Sequence, residues 1–313
     1  MSEDLRKLMK GTAFLAIVAC FLWATAFAGV KIGLKYMSPL QFAGIRFFIS
    51  GLMIMAFYGK IGAYVQALRT HFSYILLIAF LQTVLMYSLF YTGINMVPGA
   101  VGAMVIGSGP LFAAIVAHFA MHNDKMNLRT TGGILLGILG IVIINLGRQT
   151  KGIAGAYELL GVVILIGNNL VSGFYNVVVM KSKRNISMLV LSSASLWIGG
   201  LVLFLIGWSF EGWQLNRVFP AEFWLALAWL SFLSAAAFAI WFTLLRRPGV
   251  KISHLNTWKF IIPVLGAILS WLLLPDESPD AYAIAGMIVV GAAMLVMNHE
   301  AITGGLQKQF GRK

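Results

Sequence analysis

Two cations stand where the chain is otherwise apolar. Lys259 follows Lys251 by eight positions, so in a helix it reaches about 12 Å past that residue. Asn256, Lys259 and Pro263 follow an i, i+3, i+7 spacing and share one helix face. Pro263 removes a backbone donor and can free a carbonyl on that face. The ammonium charge suits a small ligand that carries a carboxylate or phosphate. Two other readings stand beside this one: a structural hydrogen bond, or snorkelling of Lys259 to a polar surface. The second cation, Arg46, precedes Phe47 and does not deprotonate usefully, so it must pair with carbonyls, a carboxylate or a ligand.

Polar stripes offer further ligand contacts. Asn168, Ser172, Tyr175 and Asn176 fall on one helical face with Asn169 alongside, and Thr83, Tyr87 and Tyr91 line another. Amides are costly against lipid, so both stripes should point inward, to line a cavity or to bond between helices. Trp241 with Ser234 adds a candidate aromatic wall. Trp23, Phe27 and Lys31 share a face at i, i+4, i+8, which suits an outer vestibule or plain helix packing. His118 reads as a polar packing residue. Cys20 is the only cysteine, which excludes an intrachain disulfide, a thiolate zinc site and an iron–sulfur cluster. No His-Glu-x-x-His, Gly-x-Ser-x-Gly or paired embedded acids occur, so no catalytic residue, metal or cofactor is expected. A channel is disfavoured as well, since neither a filter loop nor a charged ring is evident.

The elements that position these residues are membrane helices. Hydrophobic residues make up 60% of the 313 and charged residues only 11%, a balance that suits a bilayer rather than one aqueous core. Spans of roughly 20 apolar residues can be read at about 11–33, 40–58, 71–93, 99–121, 128–147, 153–179, 188–207, 221–246, 252–275 and 279–297. The apolar run past Cys20 is unbroken through Val30, which favours an uncleaved first span over a lipoprotein cleavage box at 17–20. The fold class is therefore an all-α polytopic membrane protein of ten transmembrane helices.

Charge bias orients it. Sixteen of the 23 Lys and Arg, including Lys60, Arg129, Lys181, Arg184 and Arg247, fall in the termini and alternate loops on one side. Five (Lys31, Lys35, Arg148, Lys151, Arg217) fall on the other, and Arg46 and Lys259 lie within spans. Both termini are thus expected in the cytoplasm of a cell inner membrane protein. The net charge of +13 is expected to meet anionic lipid at the cytoplasmic loops rather than nucleic acid.

The chain also repeats itself. A shift of 153 positions brings Pro110 onto Pro263, Gly133 onto Gly286 and Asn145 onto Asn298. This gives a first five-helix repeat over 11–147 and a second over 153–297. An odd number of spans inverts the second repeat, the arrangement that supplies carriers with two interconvertible states. Lys259 falls on Ile106, so the cation has no counterpart in the first half.

Phe21-Leu22-Trp23-Ala24-Thr25-Ala26-Phe27, then Lys31, Tyr36, Ser38-Pro39 and Arg46-Phe47, resemble the opening of an EamA-type transporter of the drug/metabolite transporter superfamily. Gly107-Ser108-Gly109-Pro110 through Asn145, Asn256–Pro263 and Gly286–Asn298 resemble its later helices, so the likeness covers about 11–300. It implies a ten-helix carrier with a central cavity, a structural or gating role for Arg46, Pro110 and Pro263, and export as the default direction. All ten carboxylates lie in loops or near span ends. The embedded acid that related four-helix pumps use for lipophilic cations is missing. The reading is a secondary transporter of small organic anions or zwitterions, such as amino acids or related metabolites, by alternating access. Its alternative is efflux of neutral or amphipathic drugs, which the aromatic residues and 15 methionines would tolerate. Gly133-x-x-x-Gly137 fits a close helix contact, within one chain or in a homodimer.

Overall fold

The computed structural model describes residues 11–120, 128–150, 156–182, 184–214, 218–245 and 258–297. The chain forms α1 (Thr12–Leu34), α2 (Pro39–Tyr58), α3 (Ile61–Thr70), α4 (Phe72–Met96), α5 (Gly99–Ala120) and α6 (Leu128–Thr150). Then follow α7 (Ala156–Lys181), α8 (Met188–Glu211), α9 (Ala221–Leu245), α10 (Ile261–Leu273) and α11 (Ala281–Met297). No strand occurs among the described residues. Seven helices, α1, α2, α4, α5, α7, α8 and α9, are long and apolar enough to cross a membrane. Shorter apolar stretches in α6 (Thr131–Ile144), in α11 (Ala281–Ala293) and the whole of α10 complete ten crossings. The protein is an all-α, multi-pass membrane protein built as two inverted five-helix repeats.

Local chemistry sets the ends. Pro39 opens α2 in the first turn, where its missing N–H has no intrahelical partner to lose. Gly59 closes the same helix at φ 70°, a left-handed cap that returns its N–H to Met55 O. Beyond it lies α3, in a stretch that reads as a plain loop in the sequence. This helix buries Tyr64 and leaves Ile61 and Val65 exposed, the signature of a short helix lying along the membrane surface. Ten residues are too few to cross, so a search for 20-residue spans passes over it.

Two helices are irregular inside. In α4 the turn Ala79–Leu85 is π-helical, and it buries Gln82 and Thr83 against α8, where Thr83 Oγ1 donates to Ser195 O at 2.9 Å. In α5 the helix breaks at Ser108 between Gly107 and Gly109. Pro110 has no N–H for the carbonyl of Ile106, so the break follows directly from sequence.

Packing obeys the repeat. Matching α1, α2, α4, α5 and α6 to α7, α8, α9, α10 and α11 pairs each helix with its mate. The pairs α2·α8, α6·α11 and α5·α10 each join mates across the two halves, while α1·α9 is mirrored by α7·α4 and α1·α10 by α7·α5. The α2·α8 seam is glycine-lined. A Cβ on Gly44, Gly51, Gly200 or Gly207 would lie 2.4–2.7 Å from a backbone nitrogen of the opposing helix. Backbones at that distance are held by van der Waals contact, the main attraction available in lipid. Gly140 and Gly286 do the same for α6·α11, and Gly137 packs within the chain against Leu111 and Ala293.

Candidate functional site

The α9 helix carries the organising face. Leu230, Ser234, Phe238 and Trp241 follow one another at four, four and three residues, so they stack along one side over about 16 Å. Arg46 of α2 meets one end of this stripe and Lys259 meets the other.

Arg46 is buried, 3% exposed. Its Nε donates to Leu230 O at 3.2 Å, Nη1 to Tyr91 Oη at 2.6 Å and Nη2 to Ser234 Oγ at 2.7 Å. The guanidinium also lies 4.7 Å from the Phe47 ring centre. It thereby joins α2 and α4 of the first half to α9 of the second. Tyr87 packs on the same group, its ring 4.0 Å from Phe47. A hydrogen bond joins Tyr91 to Arg46 and ring packing on Phe47 adds Tyr87, a grouping that the sequence leaves open.

Lys259 sits in the 3₁₀ turn Trp258–Phe260 that leads into α10. Its Nζ lies 4.7 Å from the Trp241 ring centre, a cation–π geometry. Trp23 of α1 packs edge-on against both Trp241 (5.2 Å) and Phe238 (5.7 Å). Among the described residues, the hydrogen-bond and ring partners of both cations are neutral. Asn256, expected beside Lys259, lies outside the described residues. Phe238 is absent from the sequence reading, although its position three and four residues from Trp241 and Ser234 was a usable signal.

The polar stripe of α7 borders this site through Tyr175, against whose cluster Tyr87 packs, and its amides are engaged with backbone. Asn169 Nδ2 donates to Val105 O at 2.7 Å, beside the break in α5. Ser108 Oγ donates to the same carbonyl at 2.6 Å. In the amide orientation that satisfies both of its ends, Asn168 donates to Met86 O at 2.8 Å and accepts from Asn169 N at 3.3 Å. Asn176 donates to Ser172 O of its own helix, and Tyr175 packs with Leu81 and Met86 in a satellite cluster. Pro263 meets Gly107, at the break that Pro110 causes, in the α5·α10 crossing. A Cβ on Gly107 would lie 2.5 Å from the Pro263 ring, so only glycine lets the break in one helix seat the proline of the other.

The sequence profile of the EamA-like transporter family matches this chain twice, over residues 10–146 and 159–299. An uncharacterized transporter of Bacillus subtilis (strain 168), YoaV, is 23% identical, with 89% of this chain and 92% of that protein aligned. An uncharacterized inner membrane transporter of Escherichia coli (strain K12), YedA, is also 23% identical, over 90% of each chain. A solved crystal structure 16% identical in sequence superimposes with a TM-score of 0.68, covering 93% of this chain and 98% of that one. That likeness carries the fold.

Proposed function

The chain belongs to the EamA-like transporter family, a membrane transporter family, and on that premise we propose that it exports small organic anions or zwitterions, such as amino acids or related metabolites. The proposal places it in the inner membrane, with both termini cytoplasmic and the turns at 35–38, 97–98 and 274–280 outside, as the lysine and arginine bias requires. The similar inner membrane protein of Escherichia coli supports that location. Transport runs by alternating access between the two inverted halves, with no bond-making chemistry.

One observation carries the substrate class. The ammonium of Lys259 rests on Trp241 between α1 and α9, and among the described residues no carboxylate is bonded to it. A charge held there without a fixed counter-ion is available to a ligand carboxylate or phosphate. Trp23, Phe238 and Trp241 would take the apolar part of the ligand. The same rings favour the second reading, efflux of neutral or amphipathic compounds.

Replacement of Lys259 decides between them. Lys259→Gln should weaken binding of an acidic substrate by ~1.5–3 kcal/mol, roughly tenfold to a hundredfold, with partial rescue in Lys259→Arg. Apparent affinity is to be measured in proteoliposomes at matched insertion. A Gln form that carries acidic substrates as well as the parent would leave the neutral-compound reading in place.

A further inference from the structure

The hairpin formed by the later part of α4 and the first part of α5 is bounded by two irregularities. One arm leaves the π turn Ala79–Leu85 and the other ends at the break at Ser108, so residues 86–107 form a unit with its tip at 97–98. Helix irregularities of this kind are the places where a helix bends, and π turns cluster at functional sites. Each is read by one asparagine of α7: Asn168 bonds the carbonyl of Met86, next to the π turn, and Asn169 that of Val105, next to the break.

The tip is held from two sides by charges on backbone groups. Lys31 Nζ donates to Ile94 O at 3.3 Å and Val97 O at 3.0 Å, where α4 ends. Glu277, from the α10–α11 turn of the other half, accepts from Gly99 N at 2.5 Å and Ala100 N at 3.0 Å, where α5 begins. Each charge has the sign that complements its helix end. A cleft of about 410 Å³, lined by Lys31, Lys35, Asn95, Asp276 and Glu277, lies at this tip. Beneath it Ser270 of α10 is fully buried against Gly99, and among the described residues its Oγ has no hydrogen-bond partner.

We infer that the hairpin 86–107 is the outer gate of the carrier, hinged at the π turn and at the Ser108 break and latched shut by Lys31 and Glu277. The inference rests on the alternating-access reading, which requires one end to be closed by contacts that break in each cycle. Glu277 crosses between the halves and, among the described residues, its carboxylate accepts from two amides, so a small swing of the tip releases it. A second carboxylate at the same end behaves differently. Glu211 accepts from Ser38 Oγ, Leu40 N and Gln41 N at 2.6, 2.9 and 3.1 Å, but it caps α2 from α8, the two helices locked by the glycine seam. It moves with its target and is an anchor. Arg46 contacts the gate itself through Tyr91, which lies in the hairpin arm. A ligand that disturbs the aromatic site would thus be sensed by the gate.

Ser270→Cys in a Cys20→Ala background provides a single buried thiol behind the tip. Its labelling by a membrane-impermeant thiol reagent, added from outside intact cells without substrate, reports gate opening. Removing one charge-assisted latch should raise the open population, and the labelling rate, roughly tenfold in Glu277→Gln, with a rise in Lys31→Gln as well. Glu211→Gln should leave the rate near that of the parent. Labelling unchanged in both Glu277→Gln and Lys31→Gln, with the thiol reactive after denaturation, would overturn the gate. An equal rise in Glu211→Gln would overturn it too, by showing general loosening. Because labelling needs no substrate, absence of counterflow in liposomes would count against the carrier reading and leave this result standing.

Discussion

Helices α5 and α10 occupy the same place in the two repeats and cross one another at Gly107 and Pro263, yet their irregular turns carry different chemistry. The break in α5 is neutral, and its exposed carbonyl at Val105 is covered by Asn169 and Ser108. The entry to α10 places Lys259 in a 3₁₀ turn over Trp241, where the repeat mate is Ile106. One copy has spent its polar groups on backbone, which leaves a sealed hinge. The other holds an ammonium on an aromatic ring. The two mates therefore differ in chemistry where they share a place in the repeat, and under the proposed function that difference assigns ligand contact to the second half only.

The comparison breaks most sharply at the crossing. Gly107→Val would drive two methyls into the Pro263 ring, where a Cβ alone already lies 2.5 Å away. Overpacking of this kind costs typically ~1–3 kcal/mol, and here the obstacle is a rigid ring, so the upper end is expected. Thermal unfolding of the purified protein should show the loss. Gly62 offers the control, since a Cβ there meets nothing within 4 Å. A Gly107→Val protein as stable as Gly62→Val would mean that the two breaks do not seat each other.

A smaller effect separates hinge from site. Asn169→Leu strips Val105 of one donor and should cost about 1–2 kcal/mol of stability, because Ser108 Oγ still covers that carbonyl. It should also raise labelling of Ser270→Cys, since the hinge is loosened. Apparent substrate affinity should change little. A large loss of affinity at unchanged melting temperature would place Asn169 in the ligand path instead.

Much of the architecture was legible in the sequence because it follows from local rules. The ten apolar spans and the coincidence of Pro110 with Pro263 each report a property of a few neighbouring residues. The α3 helix escaped because it has only ten residues, so amphipathicity replaces length as its signal. Within the site, Lys259 and Arg46 could be picked out as charges in an apolar setting, but their partners could not. Ser234 and Leu230 are 188 and 184 positions from Arg46, and that pairing depends on how the two halves dock. Glu277 was hidden for a related reason. An acidic residue in an outer turn reads as solvated until the N-terminus of α5, 177 and 178 positions away, is brought beneath it.

The smallest effect tests whether the ring and the ammonium on α10 work as one unit. A cation over tryptophan contributes about 0.5–2 kcal/mol, so Trp241→Leu should weaken binding of an acidic substrate by roughly twofold to thirtyfold. The substitution also opens space beside Trp23, so part of any loss would come from packing rather than charge. A double-mutant cycle removes that part. If Trp241 acts by holding Lys259 in place, Trp241→Leu should cost clearly less in a Lys259→Gln background than in the parent. Trp241→Phe should sit between the two, since phenylalanine keeps a ring face but attracts a cation less strongly than tryptophan. Apparent affinity for one acidic substrate across the four proteins gives the coupling directly. Strict additivity would show that Trp241 contributes to the apolar wall alone and that Lys259 finds its position without it, and the contrast between α10 and α5 would then reduce to a single residue.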